Sequence, residues 1–302
     1  MSHQEQMTDS LAALVASAAE PTRLATGFEF TEGPIWRQEL GALDFSDIPG
    51  NTRWRWHPVN GAAVLLRPSG KCNGMTLDND DNLIVCEHAT SSVVRERRYG
   101  QREIVASHWQ GAELNSPNDV IVARDGSIYF TDPWYGRMPV FGVERPRELG
   151  FQGVYRVDVT SGELELVADD FAMPNGLCLT RDESQLLVND TPRAHIRVFD
   201  VAPDGSLENG RMFFEGIGSG ADGEAGVDGM KLDERGNVYV TGPGGIWVIS
   251  PVGAYIGTIP VTETVGNLNW GGRDWKTLYI CASRSLYALE MAVAGNRLGY
   301  MS

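Results

Sequence analysis

The chain has 302 residues, 42% hydrophobic and 22% charged, with a formal net charge of −15, which is the composition of an ordinary soluble globular protein. Its basic run is limited to the short Arg95–Arg98 patch, so it lacks the footprint that a nucleic-acid backbone needs. No stretch of 18 apolar residues is present to span a membrane. Four scattered cysteines without a C-x-x-C spacing argue against a disulfide framework or a zinc–thiolate site, and a reducing cytoplasm is the expected compartment.

Residues 1–22 read as an N-terminal extension, a short helix or a frayed end around LAALVASAA, without the basic start of a signal peptide. From residue 23 to 302 one pattern recurs. It begins with TEGPIWRQELGALDFSD from Thr31 and continues through CNGMTLDNDDNLIVCE from Cys72 and PNDVIVARDGSIYFTD from Pro117. MPNGLCLTRDESQLLVND from Met173, VDGMKLDERGNVYVTG from Val227 and GNLNWGGRDWKTLYICA from Gly266 complete it. Each copy is a polar residue, an apolar strand, a polar turn and a second strand. The step from the polar residue to the second strand's apolar triplet is always 10 or 11 residues, as in Glu32 to Leu43 or Asn118 to Ile128. A third strand often follows, for example GVYRVDV or GIWVISP. Successive copies lie 41, 45, 57, 53 and 39 residues apart, the period of a β-propeller blade. The expected fold is therefore an all-β, six-bladed propeller forming a single catalytic domain. Residues 23–30, RLATGFEF, would supply the outer strand of the last blade and close the ring.

If the first strand of each blade is innermost, Glu32, Asn73, Asn118, Asn175, Asp228 and Asn267 point at one axis. All six carry oxygen, and the two carboxylates would neutralise one divalent ion, the ligand chemistry that hard cations want. The competing explanation is that Asn-Gly and Asp-Gly are turn formers repeated with the fold. Glu32, a poor turn residue in the same register, speaks for convergence on a metal, with Asn73 and Asn267 lining the channel. The antiparallel second strands return to the same mouth and bring His88, Asp132, Trp134 and Tyr135 beside it. There is no G-x-S-x-G elbow, no H-E-x-x-H and no P-loop.

The stretches FTEGPIW, NSPNDV, YFTDPWYG, MPNGL and DGMKLDERGNVYVTGPGGIWV closely resemble bacterial gluconolactonases. These belong to the family of regucalcin (senescence marker protein) and the luciferin-regenerating enzyme. The resemblance runs from about Leu24 to Glu290. It implies a six-bladed propeller with one divalent metal ion, held by Glu32, Asn175 and Asp228, with Asn118 a further ligand or a substrate contact. It places the catalytic acid or base on Asp228, which would activate water or attack directly. Ser116 stands where the animal branch has an arginine that helps hold the sugar. The expected activity is hydrolysis of a sugar lactone to the aldonic acid. Asn118, Asn73, His88, Asp132, Trp134 and Tyr135 would contact substrate. The metal is expected to be Ca²⁺, in a ligand set that also tolerates Zn²⁺, Mg²⁺ or Mn²⁺. The chain is expected to act as a monomer or weak homodimer on a small-molecule lactone. An organophosphorus-ester hydrolase on the same metal, or a non-catalytic interaction propeller with a structural metal, are the alternatives.

Overall fold

The computed structural model describes residues 10–97, 100–219 and 226–297. Among them are six four-stranded antiparallel sheets, each built from consecutive strands save the last. The inner strands are Thr31–Arg37, Cys72–Leu77, Val120–Val122, Pro174–Leu179, Met230–Leu232 and Val265–Gly271. Each touches the inner strand of the next blade, and the sixth returns to the first. This is the six-bladed propeller that the repeat spacing implied.

Closure is made by the expected segment. Thr22–Thr26 pairs antiparallel with Ser285–Glu290, Arg23 opposite Tyr287 and Thr26 opposite Ser285, and becomes the outer strand of blade 6. The sheet that would otherwise end in an open edge is thereby capped by the start of the same chain. Ahead of it, Leu11–Leu14 forms a single helical turn whose Leu14 is fully buried. Its carbonyl accepts the Ala292 N–H at 2.8 Å.

The alternating Val, Ile, Leu and aromatic residues of the strands fill the seams between blades, where period-two side chains from facing sheets meet. Trp36 of blade 1 stacks on Tyr279 of blade 6 with ring centres 5.2 Å apart. Tyr239 of blade 5 meets Trp270 of blade 6 edge-to-face at 5.2 Å. Such pairs add roughly 1 kcal/mol beyond their burial. All four cysteines are buried and free, small hydrophobes within this packing. Among the described residues no helix is long and apolar enough to cross a membrane.

Candidate functional site at one end of the propeller axis

Glu32, Asn73, Asn118, Asn175 and Asp228, from five different blades, line one cavity of about 470 Å³ on the axis. Their inward aim has a local cause. In blades 1, 2 and 4 the register between first and second strands slips at the site residue, between Glu32 and Ile35, Cys72 and Met75, and Pro174 and Leu177. A bulge of this kind re-aims a side chain out of the alternating pattern. Asn118 and Asp228 lie just ahead of their strands, and the Asn118 N–H donates to the Thr131 carbonyl at 2.8 Å.

The glycines after these residues are not turn glycines. Gly176 lies inside the strand Pro174–Leu179, and a Cβ there would sit 2.4 Å from the Asp228 carbonyl oxygen of the next blade. At Gly33, with φ +49°, a Cβ would sit 2.0 Å from the Asn73 carbonyl oxygen. Glycine is present because neighbouring inner strands touch backbone to backbone. Gly33→Ala is expected to destabilise the protein by roughly 2–3 kcal/mol, read as a lower urea midpoint at unchanged slope.

Two belts of hydrogen bonds hold the ring. Asp47, Asp132 and Asp190, each ending a second strand, accept two successive backbone N–H groups from the loop that delivers a site residue. Asp47 takes Glu29 and Phe30 ahead of Glu32. Asp132 takes Asn115 and Ser116 ahead of Asn118, and Asp190 takes Ala172 and Met173 ahead of Asn175. The second belt ties Asn73, Asn175 and Asp228 to the preceding blade. Ser46 donates to the Asn73 carbonyl at 2.7 Å, Thr131 to the Asn175 carbonyl at 2.8 Å and the Asn189 amide to the Asp228 carbonyl at 2.5 Å.

Residues 30–284 match the SMP-30/Gluconolactonase/LRE-like region. The chain belongs to this family. It is 30% identical to a gluconolactonase of Zymomonas mobilis over 90% of this chain and 81% of the relative. A solved gluconolactonase from Xanthomonas campestris superposes with a TM-score of 0.85 at 31% identity, covering 93% of this chain and 92% of that one. A calcium-binding regucalcin from Agrobacterium tumefaciens superposes with a TM-score of 0.75 at 16% identity, over 93% and 96% of the two chains, and shares the fold.

In this member of the SMP-30/gluconolactonase family the two cavity carboxyls are electrostatically uncomfortable. Burial, and then the Asp119 carboxylate, push the Glu32 carboxyl up to about 7, against hydrogen bonds from Asn267 and the Gly33 N–H and the charge of Lys231. Asp228 is held well above the usual carboxylate range by burial, then by Glu32 and Asp119, with a hydrogen bond from Asn175 opposing. The Asn267 amide donates to Glu32 Oε2 at 2.9 Å, so Asn267 supports Glu32 while its own Oδ1 accepts the Leu268 N–H. Beneath the ring, Lys231 Nζ lies 3.5 Å from Asp119 Oδ2. The 10–11-residue register did not single out that pair, whose members lie one residue on from Asn118 and three on from Asp228.

The donor set fits a hard divalent cation. Asn73 Oδ1 and Asn175 Oδ1 are buried and have no hydrogen-bond partner, a state that native proteins avoid unless a ligand or water completes it. Together with Glu32 and Asp228 they offer only oxygen, and two carboxylates balance one dication. Among the described residues no three or more His, Cys, Asp or Glu side chains gather in a metal-binding cluster, so the amide oxygens are needed to complete this donor set.

Of the residues expected to contact substrate, Asp132 and Trp134 are placed off the cavity, while His88 and Tyr135 line it. Asp132 does not line the cavity; its oxygens are taken by the Asn115 and Ser116 loop amides, and burial raises its carboxyl to about 7. Trp134 lies outside it too, its ring under the Arg147 guanidinium at 4.5 Å. His88 reaches the wall, but its Nδ1 lies 2.9 Å from the Phe141 carbonyl and its Nε2 3.1 Å from the Asn73 amide nitrogen. Burial lowers the imidazole to about 4, so at neutral pH it is an uncharged prop that turns Asn73 Oδ1 toward the axis. Tyr135 lines the cavity, its hydroxyl bonded to Thr191 and Asn175 and raised to about 12 by burial. Asp132→Ala strips two loop N–H groups of their acceptor and is expected to cost about 2 kcal/mol. Urea unfolding measures the loss; an unchanged midpoint would return Asp132 to the list of substrate contacts.

Proposed function

We propose that the chain is a metal-dependent lactone hydrolase that opens a sugar-type lactone to its hydroxy acid. The observation that carries this reading is the pair of carboxyls, buried Glu32 and half-buried Asp228, facing one cavity together with unpartnered amide oxygens. Relatives that carry the name gluconolactonase support the lactone.

Glu32, Asn175 and Asp228, with Asn118 beside them, would hold the cation, which when bound supplies Lewis acidity to the lactone carbonyl. Asp228 takes a proton from the attacking water as the new C–O bond forms at the carbonyl carbon. It returns that proton to the ring oxygen as the ring C–O bond breaks, so water is added across the ester and nothing else is consumed. Asn118 orients the lactone, and Asn73, held by His88, lines the same cavity. The Asn175–Thr191–Tyr135 hydrogen bonds hold one wall of the cavity and limit the poses in which the carbonyl carbon is exposed.

The test is a pH-stat assay with glucono-1,5-lactone before chelation, after it, and after Ca²⁺ is restored. Activity is expected to vanish on stripping and return on add-back. Full activity in the stripped protein would overturn the metal-dependent reading.

A further inference from the structure

The cavity has two chemically different halves. One is the oxygen ring already described. The other is apolar: Phe30 and Phe141 meet edge-to-face with ring centres 5.3 Å apart, and Ile48 and Val265 continue the wall. Among the described residues no Lys or Arg lines the cavity. The nearby cations already have partners outside the cavity, Lys231 with Asp119 at 3.5 Å among them. Lys71 Nζ donates to the Val140 carbonyl at 2.8 Å, and Arg145 pairs with Glu113 at 3.2 Å.

From this division we propose that the site selects an uncharged lactone that turns a deoxygenated or alkyl face to the Phe30–Phe141 wall and rejects lactones carrying a second anionic group. The inference rests on the lactone-hydrolase reading. Three physical points lead to it. A divalent ion balanced by Glu32 and Asp228 leaves no positive charge for a carboxylate, sulfonate or phosphate on the substrate, and burying an unpaired charge is strongly unfavourable. Hydroxyls placed against Phe30, Phe141, Ile48 and Val265 would lose water and gain no partner. A cavity of about 470 Å³ falls in the range that holds a drug-sized ligand, leaving room beyond a lactone ring for a substituent.

The experiment compares kcat/KM of the metal-loaded protein on three lactones: neutral glucono-1,5-lactone, anionic glucaro-1,4-lactone and γ-nonalactone with its alkyl tail. Glucaro-1,4-lactone is expected to lie at least ~100-fold below glucono-1,5-lactone, and γ-nonalactone at least ~10-fold above the anionic lactone. Phe141→Ala should lower kcat/KM for γ-nonalactone by roughly 10-fold. Phe141→Arg, which places a cation in the wall, should raise the ratio of anionic to neutral turnover by roughly 10-fold or more. Glucaro-1,4-lactone turned over within about threefold of glucono-1,5-lactone would overturn this inference and leave the lactonase reading standing. No turnover of any of the three would overturn both.

Discussion

Glu32→Gln and Asp228→Asn are each expected to lower lactone turnover by ~10³-fold or more, equivalent to about 4 kcal/mol of transition-state stabilisation, while the propeller stays folded. The fold should survive because of how Glu32 is held. Its Oε2 accepts the Asn267 amide at 2.9 Å and the Gly33 N–H, and a glutamine carbonyl can accept both. The substitution also removes a buried carboxyl that Asp119 already disfavours as an anion, so the metal-free variant should melt no lower than metal-free wild type. What the variants lose is the cation. At a metal concentration of about 100 times Kd the wild type should gain about 2.7 kcal/mol of stability, a gain that either variant should largely forfeit. Calorimetric metal titration, thermal melting with and without Ca²⁺, and the pH-stat assay read the three effects separately. Near-normal turnover by either variant with its metal still bound would sink the assignment of Glu32 and Asp228.

The propeller was legible because a repeat fold writes its period into the chain. The constant step from Glu32, Asn73 and their equivalents to the second strand reflects a fixed strand–turn–strand geometry, and the structure keeps it in all six blades. The closing strand was legible for the same reason: Arg23–Phe30 had no copy of its own, and Thr22–Thr26 completes blade 6. The convergence of Glu32 and Asp228 followed from register alone.

The supporting residues were less legible, because their roles are set by contacts distant in sequence. Asp132 and Asp190 end second strands at the mouth, where a carboxylate could equally face substrate. Only the backbone N–H groups of residues 115–116 and 172–173 show that they are loop anchors. Asn267 meets Glu32 across 235 residues of sequence. The glycine of Asn175-Gly176 is a turn signal by every local rule, yet it is there because the next blade's backbone leaves no space for a Cβ. The apolar half of the cavity depends on Phe141, which belongs to the 133–151 excursion between the second and third strands of blade 3, outside the repeating register. A repeat reveals what is repeated, and Phe141 lies outside it.

The second large effect is a pH dependence of the metal-free protein that runs opposite to that of most folded proteins. Glu32 has an ordinary value of 4.5 and is raised to about 7 in the fold, by burial and then by Asp119. A carboxyl raised in this way binds its proton more tightly folded than unfolded. Its stabilising contribution is therefore complete below about pH 4.5 and is lost as pH rises through about 7, a change of about 3 kcal/mol for this group. Asp228 is shifted in the same direction, and so is Asp132, also to about 7. His88 works the other way. Lowered to about 4, it contributes stability that is complete above its ordinary value of 6.5 and is lost as pH falls through about 4. One imidazole opposes three carboxyls, so the carboxyls decide the sign. In EDTA, urea unfolding at about pH 5 should give a larger free energy than at about pH 8, by several kcal/mol, with roughly 2–3 kcal/mol of the difference removed by Glu32→Gln. Saturating Ca²⁺ should abolish or invert the difference, because a bound cation favours the ionised carboxylates and proton and metal compete for the same oxygens. Equal stability at the two pH values without metal, or a Glu32→Gln variant that keeps the full difference, would show that Glu32 is ionised and already compensated within the metal-free fold.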